Sequence, residues 1–327
     1  MFDGFLLVSY GAPYCESDVV PFLDCLFSGK GVSAESKSRA ALKYYEFARR
    51  NGGRFSPLND QCKELLRGIS ANFSDSGLGV RVYHGNLYWR PFLSDVILRM
   101  FSDGVKRAKC FITSAFDSTA GNRRYTYAIE SICGKLGNMS PFIERLPLPF
   151  NHPLFIEAQV GRLCEAVKRQ KNITQNRTET LIFFTAHSIP QSDPFAGNYV
   201  EQLNFVCKSV VERFCLDNPD CGVIEWELLY QSRPISGNAK GKEPQWLSPS
   251  VGDRFTMLVD QSNGGINVKK DIIIVPIGFF CESMETVNDL DFELGDICKD
   301  TSIKFTRALT IGTTPKIYKM ITQMTKN

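Results

Sequence analysis

Leu181-Ile182-Phe183-Phe184-Thr185-Ala186-His187-Ser188-Ile189-Pro190 decides the fold class: an apolar run of strand length stops at small and polar residues, and a histidine stands where it ends. The same construction recurs at Phe5 to Val8, Val80 to Tyr83, Lys109 to Thr113 and Ile272 to Val275, each run ending in Gly, Ser, Thr or Pro before a helix-length amphipathic segment. Continuous apolar strands alternating with helices predict a parallel sheet covered on both faces, hence an α/β fold. Ligands of such sheets collect beyond the carboxyl ends of the strands, so His187 stands where function is expected.

With 327 residues the chain exceeds what one core usually supports, and two domains are expected. The segment Leu146-Pro147-Leu148-Pro149-Phe150-Asn151-His152-Pro153 interrupts helix and strand alike, which places the junction there and the domains at 1–148 and 149–327. Gln231 to Asp253 reads as a long loop of the second domain. Thirty-eight basic against thirty-five acidic residues leave a net charge of +3, too small and too scattered to name nucleic acid or an anionic membrane as partner. No apolar stretch reaches bilayer length, and no signal peptide opens the chain. The eleven cysteines are odd in number and nowhere form a C-x-x-C pair, as in reduced cytosolic thiols, so a cytoplasmic location is expected.

Two features can carry chemistry. His187 can exchange protons near neutral pH, although a buried structural histidine is an equal reading of its position alone. After the apolar run Ile272 to Phe280, a helix beginning at Glu282 would place Met284, Val287, Leu290, Asp291 and Leu294 on one side and Glu285, Asp289 and Glu293 on the other. Carboxylates spaced i, i+4, i+8 repel by roughly 0.2–0.5 kcal/mol per pair. They are the ligands that hard or borderline divalent ions prefer. An acidic face opposite an apolar one is also what a plain surface helix shows, and periodicity alone favours that plainer reading. His84, in a strand, and His152, beside prolines, read as structural.

The surrounding strings decide between these readings. Ser-Tyr-Gly-Ala-Pro-Tyr (9–14), Gly-Gly-x-x-Ser-Pro-Leu-Asn (52–59), Tyr-Trp-x-Pro (88–91), Thr-Ala-His-Ser-Ile-Pro (185–190), Gln-Ser-Arg (231–233) and Pro-Ile-Gly-Phe (276–279) precede Glu285-x-x-x-Asp289-x-Asp291-x-Glu293. In this order and spacing the chain resembles the ferrochelatases over nearly its whole length. The resemblance implies two similar Rossmann-like, chelatase-type domains, each a parallel sheet flanked by helices, with the last helix packing back on the first half. It also implies insertion of Fe2+ into a porphyrin by a monomer that needs no cofactor. The wording Val-Ser-Tyr-Gly-Ala-Pro and Ile112-Thr113-Ser114-Ala115-Phe116 is most similar to the Gram-positive and actinobacterial branch, which implies coproporphyrin III as substrate. Alternatives are a protoporphyrin IX ferrochelatase, a cobalt-inserting chelatase, and a porphyrin carrier that has lost catalysis.

By that resemblance His187 is the base and a transient iron ligand, with Glu285 as its partner. Asp289 and Glu293 continue a metal or proton path, and Tyr10, Ser56 and Tyr125 contact the porphyrin. Some relatives carry propionate-binding arginines where this chain has Phe27 and Ser28, with Lys30 the nearest cation. Many carry a histidine where this chain has Ser283. Many actinobacterial members hold a [2Fe-2S] cluster through a cysteine at the position of Asn122 and others near the C-terminus, whereas no cysteine follows Cys298 here, so no cluster is expected.

Overall fold

A computed structural model describes residues 2–174, 179–232, 244–264 and 271–326. Residues 233–243 of the expected long loop, with Arg233 of the Gln-Ser-Arg string, lie outside the described residues. The chain divides into two compact units: Met1–Ser114, Ala120–Leu148 and Ile317–Asn327 form the first, and Ala115–Thr119 with Pro149–Lys316 the second.

In chain order the first unit contains β1 (Gly4–Ser9), α1 (Glu16–Phe27), α2 (Ala34–Arg50), α3 (Leu58–Asp75), β2 (Arg81–Asn86), α4 (Leu93–Ser102), β3 (Arg107–Ile112), α5 (Arg124–Leu136) and β4 (Phe142–Arg145). Its sheet runs β2-β1-β3-β4, and every pair is parallel. Strand β1 is buried along its full length, as a central parallel strand covered on both faces must be. Leu6, Val8, Tyr83, Ile97, Met100, Cys110 and Ile129 fill one core of this unit, and each large side chain so buried contributes about 1.5–3 kcal/mol.

The second unit contains α6 (Pro153–Thr174), β5 (Glu179–His187), α7 (Ala196–Asp217), β6 (Val223–Gln231), α8 (Val251–Asn263), β7 (Asp271–Val275), α9 (Met284–Val287), α10 (Leu294–Ile297) and β8 (Phe305–Arg307). Its parallel sheet runs β6-β5-β7-β8, which repeats the connectivity of the first: second strand, first, third, fourth. Phe183, Leu229, Phe255, Ile272, Ile274 and Leu290 fill a core of this unit. The final helix, α11 (Pro315–Lys326), packs through the Thr322 hydroxyl, which donates to Asn72 Oδ1 on α3 at 2.7 Å.

The expected strands are present with shifted ends, and three unexpected ones join them. Strands β4, β6 and β8 lie at sheet edges, and Glu225 and Glu227 interrupt the Val223-Ile224-Glu225-Trp226-Glu227 start of β6, so no apolar run marks it. Strand β5 is longer than its apolar run, and His187 is its last residue rather than the first residue after it.

Candidate active site

In the sheet order of the second unit the chain leaves β5 on one side to form β6 and on the other to form β7, so the carboxyl ends of β5 and β7 flank a topological switch point. Both ends are tightly determined. The Gly278 amide donates to Thr185 O at 3.0 Å, bringing the turn after β7 onto the end of β5. A Cβ at Gly278 would lie 2.6 Å from Ala186 Cβ and 2.7 Å from its Cα, so only glycine fits that close approach.

His187 is held from three directions. Its backbone is paired with Gln231 in the β5/β6 register, and the Tyr199 hydroxyl donates to its carbonyl at 3.0 Å. Burial, with the Tyr230 phenol alongside, pushes the Tyr199 phenol above its ordinary pKa, so it stays a donor. On the ring, Nδ1 lies 2.6 Å from the Ser188 carbonyl oxygen. A carbonyl only accepts, so that contact assigns the proton of the neutral imidazole to Nδ1 and leaves a lone pair on Nε2. Nε2 faces Glu285 Oε2 at 4.0 Å, and the two side chains, 37% and 44% exposed, remain open to a ligand.

Glu285 is placed by its cap. Ser283 Oγ accepts from the Thr286 amide at 3.3 Å while Thr286 Oγ1 accepts from the Ser283 amide at 2.8 Å, a reciprocal capping box that starts α9 and sets Glu285 in its first turn. The serine at the position where many relatives carry a histidine therefore works as a helix cap.

The acidic row departs from the expected α-helix. Residues Asn288–Glu293 form a turn of π-helix between α9 and α10, and the wider turn breaks the 3.6-residue register on which the row of three carboxylates rested. Asp289 is buried instead of exposed: its Oδ2 accepts from Gln231 Nε2 at 3.4 Å and from the Ser232 hydroxyl, and its Oδ1 from Asn288 Nδ2 at 3.2 Å. The same Asn288 amide donates to Glu293 Oε1 at 2.6 Å, joining residues five apart across the π-turn. His187 and Glu285 thus form one pair, while Asp289 and Glu293 are linked through Asn288. Among the described residues no three His, Cys, Asp or Glu side chains come together as a ready metal cage.

A buried brace, absent from the sequence reading, sets the π-turn. Arg307 of β8 donates to both Asp291 oxygens at 2.7 Å and to both Glu282 oxygens at 2.9 and 3.0 Å. Burial opposes the charge on Arg307, but Asp291 and Glu282 outweigh it and raise the guanidinium pKa above its ordinary value. Glu282 also accepts from the Thr310 amide at 2.8 Å and the Thr286 hydroxyl at 3.1 Å. Neither the Ser283/Thr286 cap nor Arg307 was picked out from the sequence, and no local signal marks Arg307.

In the first unit Tyr10 packs edge-on against Tyr88, ring centroids 4.7 Å apart, just before Gly11, whose φ of +83° glycine adopts without strain. Asn59 Nδ2 donates to Ala12 O at 2.7 Å, which ties the Gly-Gly-x-x-Ser-Pro-Leu-Asn string to the Tyr10 turn. Two expected contact residues are engaged within the fold: Ser56 Oγ accepts from the Leu58 amide at 3.2 Å, and Tyr125 is 6% exposed in the core that Tyr10 packs against.

A family model described as ferrochelatase matches residues 2–327. The chain belongs to the ferrochelatase family. A ferrochelatase of Rhodopirellula baltica is 34% identical over 320 residues, covering 98% of this chain and 84% of that one. Coproporphyrin III ferrochelatases of Nocardia farcinica and Frankia alni are 30% and 34% identical, each over 98% of this chain and over 87% and 79% of their own. The solved chelatase SirB from Bacillus subtilis with Fe3+ has a TM-score of 0.55 at 12% identity, over all of this chain and 95% of its own, and so shares the fold. As a ferrochelatase the protein is a lyase of haem biosynthesis that inserts iron into a porphyrin. Among the described residues no helix is long and apolar enough to cross a membrane.

Proposed function

We propose that this ferrochelatase acts on coproporphyrin III, giving coproheme, with His187 as the base that removes the pyrrole protons. The observation that carries the reading is the His187 ring: Nδ1 lies 2.6 Å from the Ser188 carbonyl oxygen and Nε2 faces Glu285 Oε2 at 4.0 Å. Metalation replaces two N–H protons by one divalent ion, so a proton acceptor within hydrogen-bond reach of the ring nitrogens is required. Nε2 takes the proton, and Glu285 stabilises the imidazolium that forms and passes charge onward. Asp289 and Glu293, joined by Asn288, continue that route for protons or for the incoming Fe2+, a substrate. Tyr10, Ser56 and Tyr125 are proposed as porphyrin contacts, and the working unit as a cytoplasmic monomer. The tetracarboxylate substrate is favoured by the coproporphyrin III ferrochelatases among its relatives. With Fe2+ under anaerobic conditions, kcat/KM for coproporphyrin III should exceed that for protoporphyrin IX by about tenfold or more, since each extra carboxylate adds a charge-assisted contact. A higher kcat/KM for protoporphyrin would reverse the substrate assignment.

The [2Fe-2S] cluster of some relatives does not fit the donor set. Asn122 is buried, its amide donates to Ser114 O at 3.0 Å, and its oxygen accepts from Arg145 at 3.0 Å. A thiolate there would lose both contacts. The anaerobically purified protein is expected to be colourless, with no iron or acid-labile sulfide, and a brown protein with about two irons per chain would refute this.

A further inference from the structure

At the end of the second sheet away from His187, two thiols stand against each other. Cys215 lies in the last turn of α7, Cys221 stands two residues before β6, and the Cys221 thiol donates to Cys215 Sγ at 3.8 Å. Both are free thiols and half-buried. Sulfurs in van der Waals contact need to approach by roughly 1.8 Å to reach the bond length of a disulfide, a movement of the size that side-chain rotation supplies.

The backbone between them is already closed. The Asn218 amide donates to Cys215 O at 3.3 Å and the Cys221 amide to Asn218 O at 3.0 Å, so two successive turns draw the ends of Cys215-Leu216-Asp217-Asn218-Pro219-Asp220-Cys221 together. Asn218 Nδ2 donates to Phe214 O at 2.8 Å, and Pro219 fixes one φ within the loop. Gly222, at φ +77°, then turns the chain into β6. The reduced protein therefore holds the two sulfurs side by side, and the bond has little further ordering to impose. The loop is also within reach of a small reagent: Leu216, Asp217, Pro219, Asp220 and Gly222 are exposed, whereas Cys207 and Cys298 of the same unit are buried.

We infer that Cys215 and Cys221 are a redox-active pair that closes, by exchange with a low-molecular-weight disulfide such as oxidised glutathione, into a reversible cross-link between the end of α7 and the start of β6. The thiolate of one cysteine attacks the small disulfide and expels one molecule of its thiol; the second cysteine thiolate attacks the mixed disulfide and expels the other. Two protein S–H bonds and the S–S bond of the reagent are lost, and one protein S–S bond and two S–H bonds of the small thiol are formed. The protein gives up two electrons and the reagent takes them.

The cross-link joins the two elements that support His187. Helix α7 carries Tyr199 near its start, and β6 ends in Gln231, paired with His187. The nine residues of β6 separate the sulfurs from His187 by roughly 30 Å. Oxidation thus fastens these supports at their far ends and leaves the site untouched.

The full chain is incubated with oxidised glutathione, its remaining thiols are blocked with a maleimide, and its peptides are weighed by mass spectrometry. The expected product carries Cys215 and Cys221 unblocked, free of glutathione and two hydrogens lighter than the reduced form, and dithiothreitol returns both to maleimide reactivity. Cys215→Ser and Cys221→Ser should each abolish that species, the surviving cysteine carrying glutathione or maleimide instead. The oxidised wild type should unfold at a higher urea concentration than the reduced protein, because the cross-link restricts the unfolded chain, and should metalate porphyrin at the same rate. Maleimide on both cysteines after oxidation, or glutathione that stays on either of them in the wild type, would overturn the pair. An unfolding midpoint no higher than that of the reduced protein, or a lost metalation rate, would overturn the cross-link as a support remote from the site.

Discussion

His187→Ala is expected to lower the metalation rate by about 10²–10⁴-fold while porphyrin binding persists, because it removes the group proposed to accept a pyrrole proton. The Ser188 carbonyl at Nδ1 favours the tautomer with its lone pair on Nε2, while the Tyr199 hydroxyl on the backbone carbonyl and Gln231 in strand register hold the backbone. The alanine variant keeps the backbone contacts and loses only the ring, and the site was already open to solvent, so little stability goes with it. Glu285→Gln is a graded companion. It keeps the shape beside Nε2 but removes the charge that stabilises the imidazolium, and a smaller rate loss of roughly tenfold is expected. The measurement is single-turnover metalation by stopped-flow, with binding followed separately by porphyrin absorbance. A His187→Ala enzyme that keeps most of its rate would show that the base lies elsewhere.

Arg307→Ala is expected to cost about 3–5 kcal/mol of stability, the effect of breaking a buried ion pair by removing one partner. The Arg307 and Glu282 side chains are each 8% exposed, so Glu282 would be left as a buried carboxylate with only the Thr310 amide and Thr286 hydroxyl to hold it. Asp291 is 35% exposed and can rehydrate, so the larger share of the loss comes from Glu282. Desolvation rather than lost attraction sets the size, and Arg307→Met combined with Glu282→Gln should therefore recover part of it: the glutamine oxygen still accepts from Thr310 and nothing charged stays buried. Urea unfolding of the single and double variants measures this. A loss below about 1 kcal/mol in Arg307→Ala would mean that the pair behaves as a solvated one. The brace spans the π-turn from both sides, so the surviving folded variant should also show a weakened Fe2+ dependence, through displaced Glu285 and Asp289.

The sequence showed most of what is buried in the middle of each sheet and little of what lies at its margin. Strands β1, β3, β5 and β7 were legible because a central parallel strand must be apolar on both faces. Strand β6 escaped because Glu225 and Glu227 interrupt its apolar run, and β4 and β8 are short edge strands whose existence depends on a neighbour far along the chain. The candidate site divides in the same way. His187 and Glu285 were legible as residues, because strand ends and the acid pattern that follows them are local.

The π-turn was not legible, since it follows from Arg307 gripping Asp291, sixteen residues apart, and from Asp289 turning inward to Gln231 and Ser232. A regular helix of 3.6 residues per turn was the natural reading of the acidic row, and tertiary contacts override it. In the first unit Tyr125 and Ser56 stood out by motif position alone; that Tyr125 lies on the buried face of α5 and that the Ser56 hydroxyl accepts from the Leu58 amide were not legible.

Enzyme-dependent metalation tests the whole account most directly: the purified protein, Fe2+ and coproporphyrin III are mixed without oxygen, and the porphyrin fluorescence is followed. The account predicts that fluorescence falls as iron enters the ring, at a rate proportional to protein and abolished in His187→Ala. Fluorescence that falls no faster than in the protein-free control, with both coproporphyrin III and protoporphyrin IX, would contradict it.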